Sequence, residues 1–301
     1  MTLSHKNKRL YLANLLLLFL FSFLPIIANK NNAHKSLIVT VPKSGTHLLK
    51  KCIILLNMDG VKFSHKKAST AYHVTNMHNS EHPSLVNIFK DQKIITRHLL
   101  HTEKTEKFVE QNTYANLFLI RDPRSQLVSA AFATKKKRIG AQKRSIEELL
   151  LDFILARNEN FIPMARHSQF QQIQPDEILF KLDLLWRIGI LGFYNRFIPW
   201  MKAKNFYTVR FENLVGPRGG GSEQTQIQEI KNITQHFGLT RSDEEIKHIA
   251  NNLFGDTNTF REGKIDSWKK EFTPAVKKAF KANSELMQML ITLGYEKDCN
   301  W

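Results

Sequence analysis

The sequence predicts an α/β fold, a three-layer sandwich in which helices flank a central, mostly parallel sheet. Short apolar runs typical of buried strands occur at 36–41, 93–96, 117–120 and 207–211. Segments with helical spacing separate these runs, and alternation of strands with helices favours parallel pairing. The body that follows the first 35 residues, about 265 residues, is long enough for one large domain.

The first strand leads directly into a turn, Pro42-Lys-Ser-Gly-Thr46, and then into a predicted helix at 47–57. A glycine flanked by hydroxyl residues at a helix N-terminus leaves several backbone N–H groups pointing in one direction. The helix dipole and a nearby lysine add positive potential. The turn is therefore a P-loop-like anion site.

A second anion site follows the third strand. Arg121 lies at the carboxyl end of the strand at 117–120, and Ser129 comes about two turns along the helix predicted at 124–133. The planar guanidinium of an arginine suits a phosphate group. Arg124, in contrast, is interpreted as a solvated helix residue. Two anion sites at two strand ends predict a ligand with two separated phosphates.

The remaining elements follow from local patterns. We expect a helix at 103–111, a basic loop at 135–144, and a capping box, Ser145 with Glu148, that opens a helix at 149–157. Further helices are predicted at 179–202, 223–237, 242–254 and 274–293, with a flexible glycine-rich loop at 216–222.

The N-terminus contains a nearly uninterrupted apolar segment of 19 residues, Leu10 to Ala28, preceded by Lys6, Lys8 and Arg9. At about 1.5 Å per residue it could just cross a ~30 Å hydrocarbon core. We favour an uncleaved, single-pass signal-anchor, because the segment is long for a signal-peptide core and Ile26 suits cleavage poorly. A signal peptide cut near Ala28 is the alternative and predicts a secreted, periplasmic or secretory-lumen protein. Residues 1–35 and 36–301 are the predicted domains.

The net charge of the chain indicates which ligands and binding partners suit it. A hydrophobic content of 42% is ordinary, whereas a net charge of +17 is high. A basic surface suits an anionic cofactor, an acidic substrate or an anionic membrane, although solvated lysines explain it equally well; we expect no nucleic-acid partner. Cys52 lies in an apolar run and Cys299 near the end, and no Cys/His pattern indicates a metal site.

Four motifs together resemble the sulfotransferase family that uses 3′-phosphoadenosine-5′-phosphosulfate (PAPS). Pro42 to Thr46 is similar to the family's 5′-phosphosulfate loop, and Arg121 with Ser129 to its 3′-phosphate motif. Thr96-Arg-His98-Leu stands where the family keeps its catalytic histidine. Arg261-Glu-Gly263, followed by Ser267-Trp-Lys269, is similar to the late segment that closes over the 3′-phosphate. The resemblance spans 36–301, and Arg210-Phe-Glu212 and Leu293-Gly-Tyr295 also agree.

The resemblance implies sulfuryl transfer from PAPS to a hydroxyl or amine by in-line displacement, without a metal. It implies His98 and Lys43 as catalytic residues, with His98 as the general base and His47 as its rival. The implied donor-binding residues are Lys43, Ser44, Gly45, Thr46, His47, Arg121, Ser129, Arg261 and Gly263. Departures from the family pattern occur at Leu48, where a Trp is frequent, at Thr96, where a Lys is frequent, and at Glu262, which replaces a basic residue.

Two other classes of function remain open. A P-loop kinase or NTPase shares the strand–loop–helix arrangement, but the only glycine of this loop follows Lys43. A non-catalytic, membrane-bound protein that binds anions or nucleotides would keep the same fold. The acceptor, a small molecule or a glycan, and the oligomeric state are not predicted. We expect the acceptor pocket to form from loops at 58–90, 135–145 and 160–180.

Overall fold

The computed structural model describes residues 35–56, 94–156, 177–255 and 262–301. These residues belong to one compact unit, Lys35–Trp301. The apolar segment at 10–28, the loop at 58–90 and most of the loop at 160–180 lie outside the described residues. Within the described ranges, no helix is both long enough and apolar enough to cross a membrane.

The sheet consists of four parallel strands: β1 (Ser36–Thr40), β2 (Ile94–Arg97), β3 (Asn116–Ile120) and β4 (Phe206–Arg210). Their order is β2-β1-β3-β4, so β1 lies between β2 and β3. In the register, Val39 is paired with Arg97 on one side and with Phe118 on the other, and Ile120 is paired with Arg210. The prediction of a parallel sheet is confirmed.

Helices cover both faces of the sheet. The α-helices before β4 are α1 (Thr46–Leu55), α2 (Glu103–Asn112), α3 (Pro123–Lys137), α4 (Ile146–Leu155) and α5 (Glu177–Asn195). Those that follow β4 are α6 (Phe211–Leu214), α7 (Glu223–His236), α8 (Asp243–Leu253), α9 (Trp268–Glu271), α10 (Pro274–Lys281) and α11 (Ser284–Thr292). Short 3₁₀ turns lie at Ile139–Ala141, Ile198–Met201 and Pro217–Gly219.

The core has two parts because successive strand residues point to opposite faces of the sheet. Leu37, Val39 and Phe118 pack with α3, α4 and α5 on one face, whereas Ile38 and Leu117 pack with α1, α7 and α8 on the other. Every residue of β1 and β3 is buried. A strand covered on both faces is mostly apolar, and the central residues of both strands show that pattern, with polar residues only at the strand ends. The three-layer architecture is confirmed.

Three predicted boundaries were wrong. The helix after Arg121 continues to Lys137, so the first part of the predicted basic loop is helical. The helix predicted at 179–202 ends at Asn195 and is interrupted at Gly189, whose φ is +70°. The segment at 274–293 forms two helices, because the Asn283 side chain accepts the first N–H groups of α11 and starts a new helix.

The capping box predicted at Ser145 and Glu148 is present in the structure. Ser145 accepts the Glu148 N–H, and the Glu148 carboxylate accepts the Ser145 N–H, at the start of α4. The glycine-rich segment after β4 forms a hydrogen-bonded turn, in which the N–H groups of Gly219 and Gly221 both donate to the Gly216 carbonyl. This turn brings the chain close to the late segment described below.

Candidate active site

The carboxyl ends of the four strands lie at one edge of the sheet, because all four are parallel. Thr40 ends β1, His98 follows β2, Arg121 follows β3 and Phe211 follows β4. The chain leaves β1 towards β2 on one side, and β3 lies on the other side. Open α/β sheets bind ligands at such a reversal of strand order.

The predicted anion loop has the backbone that anion binding requires. Lys43 has φ +71° and Gly45 has φ +105°, and the Ser44 N–H donates to the Val41 carbonyl at 3.1 Å. Gly45 is the N-cap of α1, so no side chain caps the first-turn N–H groups of this helix. Backbone N–H groups at such a turn form a concave nest for an anion.

Gln126 holds this loop from α3. Its buried amide donates to the Pro42 carbonyl at 2.8 Å, which fixes the peptide that precedes the left-handed Lys43. Gln126 could not be predicted as a site residue, because a glutamine inside a helix carries no local pattern that points to a loop elsewhere.

Phe211 contacts both predicted anion sites. A Cβ built on Gly45 would lie 2.6 Å from Cδ2 of the Phe211 ring, so the ring approaches the loop as closely as a glycine allows. The guanidinium of Arg121 lies 4.2 Å from the centroid of the same ring, a distance typical of cation–π contact. Phe211 therefore sets the separation between the two sites.

Arg121 lies beside the late segment that contains Lys264 and Ser267. Its side chain is buried, and Nη2 donates to the Lys264 carbonyl at 2.7 Å and lies 3.4 Å from Ser267 Oγ. Gly263, with φ +62°, precedes this contact, and the Ile265 N–H donates to Gly219 at 2.9 Å.

Arg261 and Ser129 are the other two side chains predicted to bind the 3′-phosphate. Arg261 lies outside the described residues. Ser129 is half-buried on α3, on the helix that begins just after Arg121. The structure thus joins Arg121 to the late segment through Lys264 and Ser267.

His98 is anchored through one ring nitrogen. Its Nδ1 lies 2.8 Å from the Thr40 carbonyl oxygen and 2.9 Å from Thr40 Oγ1. A carbonyl can only accept a hydrogen bond, so Nδ1 carries a proton, and in the neutral form of the imidazole Nε2 has the lone pair. Thr40 Oγ1 also lies 2.9 Å from Thr46 Oγ1, which connects the imidazole to the anion loop. Thr40 was missed by the sequence analysis, since it reads as an ordinary strand residue.

Lys43, His47 and His98 share one electrostatic environment. Burial lowers the pKa of His47 below its usual value, and the charges of Lys50, Lys43 and His98 lower it further. The structure therefore favours a neutral His47 imidazole near the anion loop. This environment brings together the two histidines that compete for the role of base.

The interpretation of Arg124 as a solvated residue was wrong. Its side chain is buried and forms ion pairs with Asp122 and with Glu296. The guanidinium also contacts two indoles, 4.0 Å from the centroid of the Trp268 ring and 4.5 Å from the centroid of the Trp301 ring. Long-range packing with the last helices decides this burial, and no local pattern around Arg124 reveals it.

Glu212 holds the backbone that follows Arg121. It accepts the Asp122 N–H at 2.8 Å and the Tyr295 hydroxyl at 3.2 Å. Burial raises the pKa of Glu212, and the negative charge of Asp122 raises it further. The Tyr194 hydroxyl donates to the Arg121 carbonyl at 3.2 Å. The backbone of Arg121 and Asp122 is thus held by two side chains from other segments, Tyr194 and Glu212.

In the part of the chain that the structure describes, no group of three or more His, Cys, Asp or Glu side chains could hold a metal ion. Cys52 is buried, as expected, and burial raises the pKa of its thiol to about 12. Cys299 is exposed, and both cysteines are free thiols.

Comparison with known proteins agrees with this architecture. Residues 33–182 match the family model described as Sulfotransferase domain, a range that includes the anion loop, His98 and Arg121. A search of curated proteins gave no match.

Two solved structures are similar in fold. The crystal structure of the mouse sulfotransferase SULT7A1 complexed with PAP is 17% identical with a TM-score of 0.55; 85% of this chain and 83% of that chain are covered. The crystal structure of retinol dehydratase in complex with androsterone and inactive cofactor PAP is 12% identical with a TM-score of 0.51; 85% of this chain and 80% of that one are covered. The chain therefore shares its fold with these two proteins.

Proposed function

Residues 33–182 belong to the sulfotransferase domain family, and on that premise we propose that the protein transfers a sulfuryl group from PAPS to a hydroxyl or amine of an acceptor. The observation that carries this proposal is the contact chain from the anion loop to an imidazole. Thr46 of the loop lies 2.9 Å from Thr40, and Thr40 contacts Nδ1 of His98. A base and an anion site thus lie at neighbouring strand ends, where a donor and an acceptor could meet.

The residues fit a donor with two separated phosphates. The uncapped N-terminus of α1 and the left-handed turn at Lys43 and Gly45 suit the 5′-phosphosulfate. Arg121, buried at the end of β3, suits the 3′-phosphate, and a hydrogen bond of this charged kind contributes roughly 1.5–3 kcal/mol. PAP, adenosine 3′,5′-bisphosphate, is bound in both of the similar structures. These facts support PAPS as the donor.

The chemistry assigned to the chain is proton removal and charge neutralisation. His98 Nε2, which holds the lone pair, accepts the proton of the acceptor group as its oxygen or nitrogen bonds to sulfur. The bond between sulfur and the 5′-phosphate oxygen breaks at the same time, and PAP leaves. Lys43 neutralises the negative charge that develops on that oxygen. Catalysis then rests on positioning and electrostatic stabilisation rather than on a metal.

We assign the base role to His98 rather than His47 because of geometry. His98 has a defined tautomer, with Nδ1–H directed to the Thr40 carbonyl. Burial lowers the pKa of His47, the positive charges of Lys50 and Lys43 lower it further, and both effects oppose the uptake of a proton.

Membrane attachment is a separate proposal. The 19 apolar residues from Leu10 to Ala28, with basic residues before them, support a single-pass anchor. Alkaline carbonate extraction of membranes from cells that express the full chain tests it. Retention in the membrane pellet supports the anchor. Release of a shortened chain into the soluble fraction supports the signal-peptide alternative.

The experiment that tests the donor site is calorimetric titration of the full chain with PAP, with ADP and 5′-AMP as controls. We expect PAP to bind most tightly, because only this nucleotide has both a 5′- and a 3′-phosphate. Tighter binding of ADP would move the assignment to a kinase or NTPase. Binding of PAP without transfer from PAPS to any hydroxyl or amine in an acceptor screen would indicate the non-catalytic alternative.

A further inference from the structure

The hydroxyl of Thr40 occupies the centre of a three-residue network. Thr40 Oγ1 lies 2.9 Å from Thr46 Oγ1 and 2.9 Å from His98 Nδ1, and the Thr40 side chain is completely buried. A buried hydroxyl is costly unless it is hydrogen-bonded, and valine would fill a buried strand position without that cost. The hydroxyl therefore has a role in connecting the loop to the histidine.

We propose that Thr40 is a positioning residue that couples occupancy of the donor loop to the basicity of His98. This inference rests on the proposed function, because the ligand in the loop is taken to be the phosphate end of the donor. Thr40 touches neither donor nor acceptor in this account. It acts through Thr46 on one side and His98 on the other.

The direction of the hydrogen bonds follows from the chemistry of each partner. Nδ1 of His98 must donate, because it lies 2.8 Å from the Thr40 carbonyl, which can only accept. Thr40 Oγ1 therefore accepts a share of the same N–H, and we assign its own hydrogen to Thr46 Oγ1, which lies 2.9 Å away. The hydrogen of the Thr46 hydroxyl is then available to an anion in the loop.

An anion in the loop polarises this chain in one direction. When the anion accepts from Thr46, the Thr46 oxygen becomes a better acceptor for Thr40, and Thr40 becomes a better acceptor for His98. Chains of hydrogen bonds strengthen one another in this way. The imidazolium form of His98 gains most, since it is the strongest donor in the series. Donor binding thus makes His98 a stronger base when the site is loaded.

Other titratable and charged groups surround this network, and they are the same in every variant of the test. His47 on α1 interacts with His98 and with the cations of Lys43 and Lys50, and Arg97 precedes His98 on β2. A bound anion also raises the pKa of His98 directly through space. The contribution of Thr40 is the part of that rise which disappears when only its hydroxyl is removed.

The experiment measures the pKa of His98 with and without saturating PAP, in the full chain labelled with ¹³C and ¹⁵N histidine and assigned with a His98→Asn variant. The variants are Thr40→Val, which removes the hydroxyl and keeps the shape, and Thr40→Ser, which keeps the hydroxyl. We expect PAP to raise the pKa of His98 in the wild type and in Thr40→Ser. In Thr40→Val we expect PAP affinity within about threefold of the wild type but a clearly smaller rise.

Each outcome decides one question. An equal rise in Thr40→Val and in the wild type, at equal PAP affinity, would overturn the coupling and leave the proposed function intact. Absence of PAP binding to the wild type would overturn both. Should Thr40→Val not fold, Thr40→Ala removes the same hydroxyl and is measured against Thr40→Ser in the same way.

Discussion

Phe211 packs directly on the backbone of Gly45, so closely that a single methyl group at Gly45 would lie 2.6 Å from the ring. Gly45 lies in the loop after the first strand, and Phe211 is the first residue after the fourth strand. The contact also places the ring 4.2 Å from the Arg121 guanidinium. The geometry of the donor site therefore depends on the fit between one glycine and one aromatic residue.

Gly45→Ala should weaken PAP binding and lower the free energy of unfolding. The new methyl group meets Phe211, and the φ of +105° is one that L-residues rarely adopt. Strain of this kind costs about 1–3 kcal/mol. Urea unfolding and PAP calorimetry measure the two effects.

Gly140→Ala is the matched control for that substitution, because nothing lies within 4 Å of a Cβ at Gly140. It should leave the free energy of unfolding within about 0.5 kcal/mol of the wild type. Similar losses in Gly45→Ala and Gly140→Ala would contradict the role assigned to the contact with Phe211.

His98→Ala should lower kcat by about 10²-fold or more, while the Kd for PAP changes by less than about threefold. His98 removes a proton during transfer and is not assigned to hold the donor. Turnover is measured with the acceptor that the wild type sulfates fastest in a screen of hydroxyl and amine compounds. His47→Ala serves as the comparison, and a larger loss of kcat in His47→Ala would transfer the base role to His47.

Arg121→Ala should weaken PAP binding by roughly tenfold to a hundredfold, which corresponds to about 1.5–3 kcal/mol for a charge-assisted hydrogen bond. Binding of 5′-AMP, which has no 3′-phosphate, should change little. Calorimetry of both nucleotides measures the difference. An equal loss for PAP and 5′-AMP would show that Arg121 maintains the loop as a whole instead of binding the 3′-phosphate.

Arg124→Ala should destabilise the fold by about 3–5 kcal/mol, since it leaves two carboxylates of a buried ion-pair network without their cation. Asp122 and Glu296 lose their partner, and Trp268 and Trp301 lose their contact with the guanidinium. Chemical denaturation gives the free energy of unfolding. Lys136→Ala, an exposed site on the same helix, should change it by less than about 0.5 kcal/mol.

Glu212→Gln should become more stable relative to the wild type as pH rises above 4.5, the ordinary pKa of this side chain. Burial raises its pKa in the folded chain, so the folded state binds the proton more tightly than the unfolded state. Stability contributed by the protonated carboxyl is therefore lost as pH rises through the folded pKa. Urea unfolding of both proteins from pH 4.5 to 8 measures the difference, and a constant or decreasing difference would refute the raised pKa.

The sheet and the anion loop could be predicted from the sequence, because both depend on local patterns. The mostly apolar run of β1 and the loop that follows it are adjacent in the chain, and their residue types carry the information directly. Each end of a predicted strand lies within one residue of the observed end. The predicted helix ends were less accurate where a capping residue such as Asn283 starts a new helix inside a segment with continuous helical spacing.

Much of the site could not be predicted, because it depends on register and long-range packing. Thr40 meets His98 only because Val39 is paired with Arg97 in the parallel register of β1 and β2. A shift of one residue would turn Thr40 to the other face of the sheet. Arg124 carries a charge that suggests exposure, and its burial depends on Trp268 and Trp301, which are far along the chain.

The position of Phe211 has a consequence for the time at which the site can form during synthesis. Residues 33–182 emerge from the ribosome before β4 and include the loop, His98 and Arg121. They do not include the ring that fits between the loop and the arginine. Contacts between residues so distant in sequence form late in folding. A nascent chain should therefore acquire donor affinity only after β4 joins the sheet, and from then on a ligand that binds only the folded state adds to the stability of the completed domain.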